Sequence, residues 1–354
     1  MAKPASPPTA QRSDWLVSPR HDLLFYSGLS FVSAVVVLAL GRVVDPLKLF
    51  VWFNLVLTVG HYAPTWMRAL LDREEFKTHR TSIILFPLVF LAMVWVTRAQ
   101  PEVLALVIYL WDRFHAVMQN YGFLRLYDAR AGNSEASAGG PRRTGRTEQL
   151  LLFSSALALM SFNMGLLAPF LNLLVSASLP LSVTPTLVWG LRAVTCGFAL
   201  FALVRYVLEQ LRARREGTFS TGKQAFVVLL FAGHALMNAT TNVFLLSAHE
   251  KLYHSVQYVV LVWHYNRRRA ATRASELTAP MRVVFGARHP LFYLLAIALF
   301  VVVVAGLFEW GGFSLGSGGE GFAFTRLGSA VALTHYYFDS FLWRVRREQV
   351  RVNL

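Results

Sequence analysis

The sequence predicts an all-helical bundle embedded in a membrane, and three observations carry that prediction. Of 354 residues, 55% are apolar and only 15% charged, with a mean hydropathy of +0.46. A soluble domain carries about a quarter charged residues, so this chain has too few to cover a surface facing water. Ten segments have, or nearly have, the roughly 20 apolar helical residues that cross a hydrocarbon layer: 22–45, 49–67, 82–97, 102–124, 149–178, 186–208, 224–246, 250–266, 290–309 and 326–343. The cations between these segments alternate. With the N-terminus inside, 27 of the 34 Lys and Arg fall in inner segments and five in outer ones, the asymmetry that orients membrane helices. The expectation is a polytopic bundle of about ten transmembrane helices with both termini in the cytoplasm.

The segments follow in order. Residues 1–21 are polar and Pro/Ser-rich and read as a cytoplasmic tail; the apolar run after them is too long for a cleaved signal peptide. Residues 22–345 read as one transmembrane domain, and 346–354 as a cytoplasmic tail. Within the domain, 129–147 is an Ala/Gly/Ser/Arg-rich inner loop and 311–321 a Gly-rich outer loop. The third and eighth spans are the weakest, and the eighth carries Glu250, His254, Gln257 and His264. No internal repeat is evident. The net charge of +15 is accounted for by topology, so no nucleic acid is expected as a partner. A single cysteine, Cys196, excludes a disulfide within the chain and a thiolate metal cluster. Heavy use of Ala, Arg and Gly suits a bacterium with GC-rich DNA, which makes the location the inner membrane.

Ionisable groups inside a span cost roughly 2.5–3.5 kcal/mol each on insertion scales, which makes them functional candidates. Residues three or four apart share a helix face. On that spacing Asp112, His115 and Gln119 form one stripe, and Glu250, His254 and Gln257 a second. His335 pairs with Asp339, His61 lies among Thr58, Tyr62 and Thr65, and His234 aligns with Asn238 and Asn242. Counted from the inner charge clusters at 1.5 Å per residue, the five histidines lie about 10 to 20 Å inside the cytoplasmic boundary, so they can meet in one layer. His264 sits at the inner boundary, where aromatic anchoring competes with ligation. His249 reads as an outer-interface residue, His21 as marking the membrane entrance, and His79 and His289 as loop residues.

Neutral imidazoles with carboxylates and no thiolate suit iron, with zinc, copper and a b-type haem as alternatives. The candidate ligands are His61, Asp112, His115, His234, Glu250, His254, His264, His335 and Asp339, holding one or two iron ions. Tyr258, Tyr336, Gln119 and Gln257 are the candidate catalytic or substrate-facing groups. A bland reading stands beside each: a lone intramembrane histidine usually bonds one helix to another.

Histidines and carboxylates near the cytoplasmic side of a multi-span chain resemble the membrane-bound iron oxygenases, namely desaturases, hydroxylases and alkane monooxygenases. That resemblance implies O2-dependent oxidation of a lipid or other apolar substrate within the bilayer, with electrons from a cytoplasmic donor. The HxxxH and HxxHH boxes of those families are absent, so none of their ligand positions carries over. Two rival functions use the same groups. One is a proton- or metal-coupled transporter, and the other is a haem- or quinone-binding membrane protein.

Overall fold

The computed structural model describes residues 13–97, 101–131, 145–176, 185–286, 289–310 and 326–343. Among them there is no strand. The chain forms α1 (Pro19–Asp22), a π-turn at Leu23–Ser27, α2 (Leu29–Leu40), α3 (Pro46–Phe53), a second π-turn at Asn54–Thr58 and α4 (Val59–Leu71). Then follow α5 (Arg73–Val96), α6 (Pro101–Arg130), α7 (Arg146–Phe162), α8 (Met164–Ser176), α9 (Pro185–Arg215) and α10 (Thr221–Met237). Last come α11 (Val243–Thr272), α12 (Ala279–Gly286), α13 (Leu291–Trp310) and α14 (Arg326–Leu342).

Beside an apolar core, the chain exposes many large apolar side chains and buries many charges. Ile84, Leu88 and Leu91 on α5, Phe198, Phe201 and Val204 on α9, and Leu291, Leu299 and Val302 on α13 are all exposed. Asp22, Arg68, Asp72, Glu75, Asp128, Glu148, Lys223 and Arg269 are at most 1% exposed. Apolar faces outward and charges inward suit helices whose surroundings are hydrocarbon. By length and hydropathy, Arg73–Val96 and Pro185–Arg215 are each able to cross a membrane. Three bent helix pairs would raise that number to five: Pro19–Ser27 with Leu29–Leu40, Arg146–Phe162 with Met164–Asn172, and Ala279–Gly286 with Leu291–Gly306. Among the described residues this is fewer than the ten the sequence suggests; α6 and α11 carry charged residues that lower their hydropathy.

Three expected segments are not single helices: 22–45 bends by 52° between Ser27 and Leu29, and two others break. The segment 149–178 breaks at Asn163, and α8 leaves α7 at 92°. The Asn163 side chain accepts from the Gly165 amide at 2.9 Å and donates to Asn238 Oδ1 and Thr240 O, so it starts the new helix and ties it to the α10–α11 turn. The segment 224–246 ends as a helix at Met237. Asn242 then starts α11 by accepting from the amides of Phe244 and Leu245, so 243–246 belong to the next helix. The N-terminal segment also joins the bundle from residue 13 on: Asp22 accepts from the amides of Leu16 and Val17 and from Tyr127. Most of the inner loop 129–147, the Gly-rich loop 311–321, and the tail with Arg344 lie outside the described residues.

α11 is the centre of the fold. It is buried on every side along most of its length and packs against α2, α3, α4, α8 and α12. α14 packs against α4, α5 and α6. Four helices, α4, α6, α11 and α14, therefore share one interior.

Candidate metal centre

Each of those four helices delivers one histidine. His61 follows the π-turn at 54–58, which adds a residue to one turn and so resets the face that the next residues present by about 100°. Pro64, three residues on, removes a helical donor and leaves the Gly60 carbonyl unbonded by its usual partner. His115 lies mid-α6, His254 mid-α11 and His335 mid-α14.

The rings meet edge to face. Centroids are 4.6 Å apart for His61 and His335, and 5.1 Å for His61–His254, His115–His254 and His115–His335, with interplanar angles of 72° to 89°. One ring nitrogen each from His61, His115 and His335 lies within 4.8 Å of the others. All four residues are buried. Nε2 of His61, Nε2 of His115, Nδ1 of His254 and both nitrogens of His335 have no hydrogen-bond partner among the described residues. Leaving a buried polar atom unpartnered costs about 1–3 kcal/mol, and five in one place is a large sum for a native interior. A bound cation relieves up to four of these atoms, since each neutral imidazole offers one lone pair to a metal.

Asp339 completes the group. Its Oδ1 accepts from Thr65 Oγ1 and from the Tyr258 hydroxyl, both at 2.8 Å. Its Oδ2 stands 3.5 Å from His335 Nε2 and 3.9 Å from His115 Nε2. Trp343 donates to the Tyr258 oxygen at 2.8 Å, and Ser255 Oγ lies 3.3 Å from His61 Nδ1. These contacts orient ligand side chains while leaving the inward atoms free, as outer groups do around metals.

The other expected site residues lie elsewhere. Asp112 is held by Lys251, which donates to both carboxylate oxygens at 2.8 Å, and by the Tyr336 hydroxyl at 2.8 Å. Glu250 pairs with Arg113. Both carboxylates are thus neutralised by cations, though Tyr336 links the first to the cluster, its ring 4.6 Å from His115. Gln119 donates to the His254 carbonyl at 2.9 Å and to Gln257, which donates to the Tyr26 carbonyl at 2.8 Å; the two glutamines bind backbone rather than the cluster. His234 lies against His249 and Tyr253. His264 meets His21, Nε2 to Nε2 at 2.9 Å.

Several contributors escaped the sequence reading. Lys251 counted as an outer cation, yet it is buried against Asp112. His249 is 2% exposed and hydrogen-bonded to Ser33, inside the bundle. His79 lies inside α5 at a kink, with φ −119° and ψ 17°, rather than in a loop. In the sequence Thr65 signals only its helix face and Trp343 only its proximity to Asp339, and Ser255 carries no signal pointing to the site.

The fold and site define a class: an all-helical protein with candidate membrane spans enclosing a four-histidine, one-carboxylate cluster. Comparison with known proteins finds no matching family model, no matching curated protein and no matching solved structure.

Proposed function

We propose that the protein is a membrane-embedded metalloenzyme, an iron-dependent oxidase, desaturase or hydroxylase acting on a lipid or other apolar substrate. The observation that carries this reading is the convergence of one ring nitrogen each from His61, His115 and His335 within 4.8 Å, with the His254 ring and Asp339 Oδ2 beside them in the same buried layer. Four neutral nitrogens and one carboxylate form a donor set that holds iron, and that also holds zinc or copper. This set suits one ion. Iron is preferred because oxidation of the unactivated carbon of an apolar substrate calls for a redox-active metal. Ten spans with both termini in the cytoplasm of a bacterial inner membrane remain part of the proposal. They would bring the cluster within reach of a cytoplasmic electron donor.

Elemental analysis and an optical spectrum of protein purified anaerobically without chelator test the reading. About one iron per chain is expected, with no Soret band, and His335→Ala and His254→Ala should lose the metal while the protein still inserts and remains monodisperse. Metal-free wild-type protein sinks the proposal, and so does stoichiometric metal in both variants. The in-span pairs Lys251–Asp112 and Arg113–Glu250 favour a second reading, a proton-coupled transporter. It predicts substrate flux across vesicles and no bound transition metal.

A further inference from the structure

A second imidazole group lies on another face of α11. The rings of His234 on α10 and His249 on α11 are 5.4 Å apart at 81°. Tyr253 closes a triangle, 5.6 Å from His234 and 5.0 Å from His249. His249 and His254 are five residues apart, hence about 140° around the helix and roughly 7.5 Å along it. The two groups are neighbours that do not share a face.

Hydrogen bonds decide which nitrogen of each ring holds the proton. His234 Nδ1 is 2.8 Å from the Leu230 carbonyl, which only accepts, so Nδ1 bears hydrogen. Ser33 Oγ donates to the Ser30 carbonyl at 2.9 Å. With its proton so placed, it accepts from His249 Nδ1 at 2.7 Å, the tautomer on which the proposal below rests. Both rings are left with Nε2 as a lone pair. Nε2 of His249 has no hydrogen-bond partner among the described residues, in a side chain that is almost wholly buried. Nε2 of His234 meets the Tyr253 hydroxyl at 3.5 Å, a long contact. An imidazole whose Nδ1–H is fixed by a carbonyl or hydroxyl and whose Nε2 is open is the form in which histidine commonly binds metals.

We propose that His234 and His249, with the Tyr253 oxygen, form a second metal site, separate from the four-histidine cluster, that takes zinc or copper. Nitrogen and phenol donors without thiolate suit either ion. The bland account is a buried water donating to both lone pairs, and metal stoichiometry separates the two.

Full-length protein in detergent, with its tag removed and its metal stripped, is titrated with Zn2+ against a chromophoric chelator. Zinc is chosen because it fills histidine sites irrespective of their redox role. Two equivalents per chain are expected. His249→Gln and His234→Gln should each leave one, and the double variant His61→Gln/His335→Gln should leave the one that His249→Gln removes. Ser33→Ala, which keeps both rings but frees the tautomer of His249, should retain two equivalents with one weakened 10- to 100-fold. Helical circular dichroism and monodisperse elution check that each variant folds. A single equivalent in the wild type, lost in His335→Gln and kept in His249→Gln, overturns this proposal and leaves the four-histidine reading standing. A single equivalent with the reverse dependence overturns the four-histidine reading and leaves this one. Two equivalents unaffected by either His234→Gln or His249→Gln also overturn it.

Discussion

Asp339 carries the sharpest test at the scale of single residues. Thr65 and Tyr258 occupy one of its oxygens, and the other faces His335 and His115. Asp339→Asn preserves the shape and one acceptor but removes the charge, so metal affinity should fall by about 10- to 100-fold, the range seen when a metal's supporting or ligating group is changed. Trp343→Phe removes the indole N–H that bonds the Tyr258 oxygen but leaves the carboxylate charge, and should weaken binding far less. Chelator competition measures both; equal effects from the two would make the carboxylate architectural. A second residue-scale test concerns Lys223, which is 1% exposed. It donates to both oxygens of Asp128 at 3.0 Å and to Glu148. Lys223→Met leaves two buried carboxylates with Arg125 as their remaining named cation, and should destabilise the fold by roughly 3–5 kcal/mol. Thermal unfolding in detergent reads this directly, and an unchanged midpoint would show that the pair contributes nothing.

At the scale of elements, α11 decides the arrangement of the interior. It contributes His249 to one imidazole group, His254 to the four-histidine cluster and His264 to the contact with His21. At about 100° and 1.5 Å per residue, His254 lies about 140° around the helix from His249, and His264, about 60° from His249, lies roughly 22 Å further along, so one helix divides the interior among three neighbours by angle and by depth. The break at Asn163 has a similar organising role, since it sends α8 across the α10–α11 turn. Asn163→Ala loses the cap on Gly165 and the two bonds to Asn238 and Thr240. The expected cost is about 1–3 kcal/mol, read as a lower unfolding midpoint with metal content retained. Gly165 admits no compensation there, because a Cβ on it would stand 2.0 Å from the Thr241 carbonyl oxygen.

For the whole molecule, the charge asymmetry of 27 to five makes a topological prediction independent of the site. In a Cys196→Ser background, single cysteines at 131–146 and 270–285 should react with an impermeant thiol reagent only from the cytoplasmic side. One at 313–319 should react from outside. A C-terminal reporter found outside would refute the even number of crossings. The exposure of apolar faces beside buried charges supports a bilayer as the surrounding solvent, because exposed Leu, Val and Phe faces on α5, α9 and α13 would aggregate in water.

The sequence by itself determined the helical class, the apolar segments, and the histidines His61, His115, His254 and His335 that the structure gathers together. Each of these is a local or periodic property. Helix faces repeat every 3.6 residues, and depth along a helix is a count of residues. Tertiary structure alone decided which faces met. Asp112 and Glu250 share helix stripes with His115 and His254, yet they turn to Lys251 and Arg113, since a buried carboxylate goes to the nearest cation and helix packing sets which cation is near. His234 lies at a depth estimated from sequence to match the others, but α10 packs against α2 and the π-turn at Leu23–Ser27, which carries its ring to His249. Azimuth about a helix axis is readable from spacing, whereas the neighbour that lies at that azimuth is a property of the packed bundle.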